Sequence, residues 1–151
     1  MRRPCHSAVL RIDQRRTTVG CIGAEILLSE SFDRDRVTGL RHALTSCAGA
    51  AGLSGSRLDD FVVAVNELLT NAVRHGGGHG HVALWWEAGS VVCEVTDQGP
   101  GIPVPRQAHP HRPPAGEPGG WGLWLAAELT DDLRLNTSPD GTTIRVSSRA
   151  S

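Results

Sequence analysis

The chain is predicted to fold as an α/β (α+β) domain: a two-layer sandwich in which a mixed, mainly antiparallel sheet carries its helices on one face. Three observations predict it. Two strand-like runs, His81–Glu87 and Val91–Asp97, are separated only by a turn at Gly89-Ser90, the pattern of an antiparallel hairpin. A long run opening at Ser56 repeats its apolar residues at helical spacing, so one face of that helix needs a cover. A second hairpin closes the chain, and an antiparallel sheet of this kind buries its apolar side under helices.

Taken from the start, residues 1–20 lack a sustained period and carry Arg2, Arg3, Arg11, Arg15 and Arg16. They read as a loose arm, with a short strand at Ala8–Ile12, before a domain spanning 21–151. Ala24–Leu28 reads as a strand, and Asp33–Ala51 as a helix closed by Gly52. Ser56 and Asp59 have the spacing of a capping box. Behind them Leu58, Phe61, Val62, Val65, Leu68, Leu69 and Ala72 form an apolar stripe, and Gly76-Gly77-Gly78 ends the helix. From Ile102 to Gly119 the pattern dissolves, and six of the nine prolines fall there. Proline excludes helix interior and central strand, so 102–119 reads as a long functional loop or lid. Trp121–Thr130 is a helix. Leu133–Thr137 and Thr142–Ser148 pair around Pro139-Asp140-Gly141.

Composition narrows the function. A chain of 151 residues supports one core. A formal net charge of -1 gives no overall basic field for nucleic acid. No apolar run approaches the roughly 18 residues of a membrane span, and no signal-peptide pattern follows Met1-Arg2-Arg3. The chain is therefore expected in the cytoplasm. Cys5, Cys21, Cys47 and Cys93 are too dispersed for a zinc or redox motif. All 15 basic residues are arginine. Without lysine there is no Walker A loop, no strand lysine of a eukaryotic-type kinase and no Schiff base. Any nucleotide site must use backbone amides, a metal or arginine.

Four places carry candidate chemistry. Glu67 and Asn71 stand four residues apart on the long helix, along a side with Asp60, Ala64, Arg74 and His75. An ordinary solvated face is one reading. In the other, Asn71 offers a hard oxygen to Mg²⁺ and Glu67 orients or deprotonates a nucleophile. Asp97 shares the parity of Val91, Cys93 and Val95, so its carboxylate points inward, where it needs a donor. The amine of a purine would supply one; a turn with an aspartate at its start is the other reading. Gln98-Gly99-Pro100-Gly101 follows at once, and glycine lets backbone approach a ligand. Gly119-Gly120-Trp121-Gly122 precedes a helix, an arrangement that suits anions. Thr142 has the inward parity of Ile144 and Val146.

Taken in order, these four pieces resemble the GHKL (Bergerat-fold) ATPase superfamily. Glu67-Leu68-Leu69-Thr70-Asn71 is similar to its N-box, and Asp97-Gln98-Gly99-Pro100-Gly101 to its first glycine box. Gly120-Trp121-Gly122-Leu123 is similar to the second glycine box, and Gly141-Thr142 to the strand-end threonine. The resemblance covers about 24–148 and implies a histidine-kinase-like ATP-binding domain with 102–119 as ATP lid. It implies Glu67 as general base and Asn71 as Mg²⁺ ligand. It places Asp97 on the adenine amine with Thr142, and Gly99, Gly101, Ile102, Gly120, Gly122 and Leu123 around the nucleotide. The chain's size, Asn71-Ala72-Val73-Arg74-His75 and Ser138–Val146 resemble the anti-sigma factors that are serine/threonine kinases. That branch implies ATP/ADP, a sigma factor and an anti-anti-sigma protein as partners. The alternative is a non-catalytic module of the same fold whose partner affinity follows nucleotide, and a third is a structural protein with a decayed site. Pro118 stands near the lid-end position where kinase members can carry an arginine, leaving Arg106 or Arg112 to reach the γ-phosphate.

Two further expectations concern the surface. His75, His79 and His81, with His109 and His111, are a histidine cluster without accompanying ligands, and His75 suits the negative helix end. Trp85 and Trp86 alternate across a strand, so one faces away from the helices and, if exposed, marks a homodimer or partner surface.

Overall fold

The structure, a computed structural model, describes residues 25–101 and 121–150. The arm at 1–20, its strand at Ala8–Ile12, the lid at 102–119, Ile102 and Gly120 lie outside the described residues.

Five strands form one sheet: β1 (Glu25–Asp33), β2 (His79–Glu87), β3 (Ser90–Asp97), β4 (Asp132–Ser138) and β5 (Gly141–Arg149). Their order is β1-β2-β3-β5-β4, and every pairing among them is antiparallel. The helices are α1 (Val37–Ala50), α2 (Gly55–His75) and α3 (Trp121–Leu129). Leu40, Leu44 and Ala48 of α1, six residues of α2, and Leu123 and Ala126 of α3 are buried in one core with Leu84, Val91, Cys93, Val95, Ile144 and Val146 of the sheet. The expected α+β sandwich, mainly antiparallel with helices on one face, is the fold of the molecule.

Several local expectations shift for identifiable reasons. β1 runs on to Asp33 rather than stopping at Leu28, because Ser29–Asp33 keep pairing with Ala83–His79. A register shift between Ile26 and Leu28 lets Ile26, Leu27 and Leu28 all be buried, as a bulge does. Asp33 then turns the chain: its carboxylate accepts from the Arg36 N–H at 3.2 Å and opens a 3₁₀ turn at Arg34–Arg36.

The Ser56/Asp59 capping box does not form. Leu53 is buried, and the Leu58 N–H bonds the Ser54 carbonyl at 3.2 Å. The helix therefore starts a residue earlier, at Gly55, with Ser54 as its N-cap. Ala64 belongs to the buried stripe, not to the polar side.

β3 is covered on both faces, with Val92 and Glu94 buried as well as the inward set. On the far face Ile26, Ala83, Trp85 and Val92 form a second apolar cluster. Trp85 is the tryptophan that faces away from the helices, yet it is only 1% exposed. The Arg145 guanidinium lies over its ring at 5.1 Å, and its indole N–H donates to Glu87 at 2.8 Å. Arg145 also pairs with the buried Glu94 at 2.9 Å. The expected exposed tryptophan is thus absent from this pair, and Trp86 packs half-buried against the helix-side core. Among the described residues no helix is long and apolar enough to cross a membrane.

Candidate active site

Register builds the site. Phe32 pairs with Gly80, Gly80 with Asp97, Asp97 with Thr142, and Thr142 with Thr137. One lateral row therefore crosses all five strands at a single end of the sheet. Cross-strand partners share a face, and Phe32 places this row on the helix side.

Asp97 is the charged member of the row and only 8% exposed. The Gly99 N–H donates to its Oδ1 at 2.9 Å. No described residue bonds its Oδ2, and that atom is not among the sealed polar atoms without partners. A buried carboxylate with one oxygen satisfied and the other reachable is an acceptor waiting for a donor.

Helix α2 reaches this point through Gly76, its C-cap. A Cβ on Gly76 would overlap the Asp97 carboxylate, and one on Gly99 would stand 2.5 Å from the Gly76 Cα. A side chain at either position closes the contact between helix end and carboxylate. The β4–β5 turn joins from the other side. Cβ atoms on Gly141 and Gly101 would overlap the Asp97 and Ser138 carbonyl oxygens respectively. Three chain segments thus meet around Asp97, which lies neither on open surface nor away from α2.

Asn71 and Glu67 lie back along α2 from Gly76, about 7 and 13 Å by helical rise. Both are half-buried, and neither side chain makes a hydrogen bond to a described residue. Glu67 faces the start of α3: its Oε1 would be 2.9 Å from a Cβ on Gly122. The side of α2 that carries Glu67 is therefore set against another helix rather than open solvent. Leu123 beside Gly122 is buried in the core. Thr142 is 4% exposed, and its hydroxyl bonds that of Thr137 at 2.7 Å.

The structure thus brings Gly99, Gly101 and Thr142 to Asp97, and Gly122 to Glu67, with Asn71 between along one helix. His75 is exposed at the end of α2. No three His, Cys, Asp or Glu among the described residues form a metal-holding group. A single hard oxygen from Asn71 still fits Mg²⁺, which takes most of its ligands from phosphate and water. Sequence reasoning missed Gly76, Gly80 and Thr137. The first was legible only as a helix stop, and the other two appear only once register is known.

The histidine kinase-like ATPase domain profile matches residues 31–148. The chain belongs to that family. Within it, the protein is 28% identical over 110 residues to Serine-protein kinase RsbW of Oceanobacillus iheyensis, an alignment covering 64% of this chain and 68% of the relative. A crystal structure of the RsbU and RsbW domains of a Mycobacterium tuberculosis protein superposes with a TM-score of 0.58 at 25% identity. It covers 81% of this chain and 31% of the other, so this ATPase domain spans about a third of that chain. The histidine kinase domain of a blue-light activated histidine kinase from Erythrobacter litoralis shares the fold, with a TM-score of 0.51 at 17% identity over 95% of this chain and 76% of that one. The resemblance of the four motifs to the GHKL ATPases thus holds at the level of a histidine kinase-like ATPase domain.

Proposed function

We propose that this ATPase domain binds Mg-ATP at the row's Asp97–Thr142 end and along α2, and works as a regulatory serine/threonine kinase. The observation that carries the reading is Asp97. A buried carboxylate with one oxygen held by Gly99 and the other without a protein partner suits the exocyclic amine of adenine. Thr142 stands opposite it in register. Asn71 would hold Mg²⁺ through its amide oxygen, and Gly99, Gly101, Ile102, Gly120, Gly122 and Leu123 would hold the nucleotide.

When bound, Mg-ATP supplies the γ-phosphoryl group. Glu67 takes the proton of a partner's serine or threonine hydroxyl as its oxygen bonds the γ-phosphorus. The bond to the β–γ bridging oxygen breaks, and ADP leaves. The partner classes are an anti-anti-sigma protein as phosphoacceptor and a sigma factor as the protein held. The similarity to a serine-protein kinase supports this choice.

Calorimetry with ATP and ADP, with and without Mg²⁺, tests the binding half. Wild type is expected to bind more tightly with Mg²⁺, and Asn71→Ala to lose most of that gain, about tenfold in Kd. No magnesium effect on wild type removes the role of Asn71. Labelled ATP and a cognate partner test the transfer half, with Glu67→Ala slowing transfer about 10²–10⁴-fold. Tight Mg-ATP binding with no transfer by wild type would leave a nucleotide-dependent binding module instead.

A further inference from the structure

The geometry points to Thr137 as a positioning residue that sets nucleobase recognition through Thr142. The inference rests on the proposed adenine site and deepens it. Thr137 sits on β4, three strands along the row from Gly80, and pairs in register with Thr142. Their hydroxyls are 2.7 Å apart, the middle of the range for an O–H···O hydrogen bond.

The consequence follows from what a hydroxyl can do. It carries one hydrogen and two lone pairs, and its hydrogen rotates to suit its surroundings. The Thr142 hydroxyl is buried and has no described partner other than Thr137. Its bond to Thr137 therefore fixes which way the remaining donor or acceptor capacity of Thr142 points. Asp97 stands on the opposite flank of Thr142, so that capacity is directed toward the space beside the carboxylate. A ring edge presenting an exocyclic amine next to a ring nitrogen offers a donor and an acceptor side by side. Asp97 accepts from the amine, and Thr142, directly or through one water, answers the ring nitrogen.

The position of Thr137 is itself constrained. A Cβ on Gly101 would lie 3.1 Å from the Thr137 hydroxyl oxygen, so the glycine loop after Asp97 closes over this pair. A side chain on that loop would displace the hydroxyl, and a larger residue at Thr137 would displace the loop. Thr137 reads the base at second hand, through the orientation it gives to Thr142.

Thr137→Val keeps the branched shape and strand propensity while removing the hydroxyl. Calorimetry with ATP and with 1-deaza-ATP, which keeps the amine but lacks the neighbouring ring nitrogen, gives the test. Wild type is expected to prefer ATP. Thr137→Val is expected to weaken ATP binding about fivefold, the worth of one ordered hydrogen bond, with a smaller loss for the deaza analogue. Thr137→Ser restores the preference. In the double variant Thr137→Val/Thr142→Val the losses do not add, because one residue acts through the other. Equal loss for both nucleotides, additive losses, or unchanged discrimination overturns the positioning role while leaving ATP binding by wild type intact. If wild type binds no ATP, the adenine site fails and this role falls with it. A Thr137→Val melting temperature near that of wild type separates orientation from unfolding.

Discussion

At the scale of single residues, the site is shaped as much by missing side chains as by present ones. Gly76 has φ -105° and ψ 25°, a backbone that alanine also adopts. Its requirement for glycine therefore comes from contact, since a Cβ there overlaps the Asp97 carboxylate. Gly76→Ala should push Asp97 off its hydrogen bond to Gly99 and cost about 1–3 kcal/mol of stability by overpacking. ATP affinity should fall more than about tenfold, because the carboxylate proposed to read the base is displaced. Parallel calorimetry and urea unfolding check both effects, and unchanged ATP binding would show that Asp97 is not held by this contact. Cys93 illustrates the opposite case. Burial, and then the neighbouring Glu94, push its thiol well above the ordinary range, so it serves as a small core residue and not a nucleophile.

At the scale of elements, turns and strand ends carry most of the departures from the sequence reading. The β2–β3 hairpin was legible from its two alternating runs, but the turn was placed one residue late. Its central residues are Ala88 at φ 52° and Gly89 at φ 85°, flanked by the Glu87–Ser90 pair. Two positive φ values make a type I′ turn, which favours asparagine first and glycine second. Alanine gives no such signal, and holding it left-handed costs about 1 kcal/mol. Ala88→Asn is therefore expected to raise unfolding stability by about 0.5–1 kcal/mol without touching nucleotide binding. Chemical denaturation reads this directly, and a destabilised variant would contradict the turn geometry. The capping box expected at Ser56 is absent for a related reason. Local spacing allowed it, whereas the burial of Leu53 fixed the helix start from outside the helix. The polar side of α2 was legible from Glu67 and Asn71, but its apposition to α3 required the fold.

At the scale of the whole molecule, the sheet has an end that carries the proposed nucleotide site and an end that carries a structural clamp. The strand order and the row from Phe32 to Thr137 set the first, and neither could be read from one strand at a time. Motif residues were legible because each sits in a short run with its own chemistry. Thr137 was not, because the role proposed for it depends on a contact made only across a strand pair. The opposite end is closed by Asp131, between α3 and β4. Its carboxylate accepts from the Arg149 N–H on β5 at 2.7 Å and pairs with Arg57 near the start of α2 at 2.9 Å. The Asp131 N–H in turn bonds the Ser147 carbonyl at 2.9 Å. The backbone hydrogen bond from Arg149, and then Arg57, hold the Asp131 carboxyl below its ordinary value of 3.8. A depressed folded pKa favours the ionised form, so the stabilisation is present above the unfolded value and fades as pH falls through the folded one. Asp131 is exposed and its ion pair is screened by solvent, so the backbone bond should carry most of the effect. Asp131→Asn is expected to unfold at lower urea than wild type near neutral pH. That gap should narrow as pH drops below 3.8 and should persist largely intact in high salt. A gap of constant size down to about pH 2, or one abolished by salt, would show that the ionised carboxylate does not clamp α2 to β5.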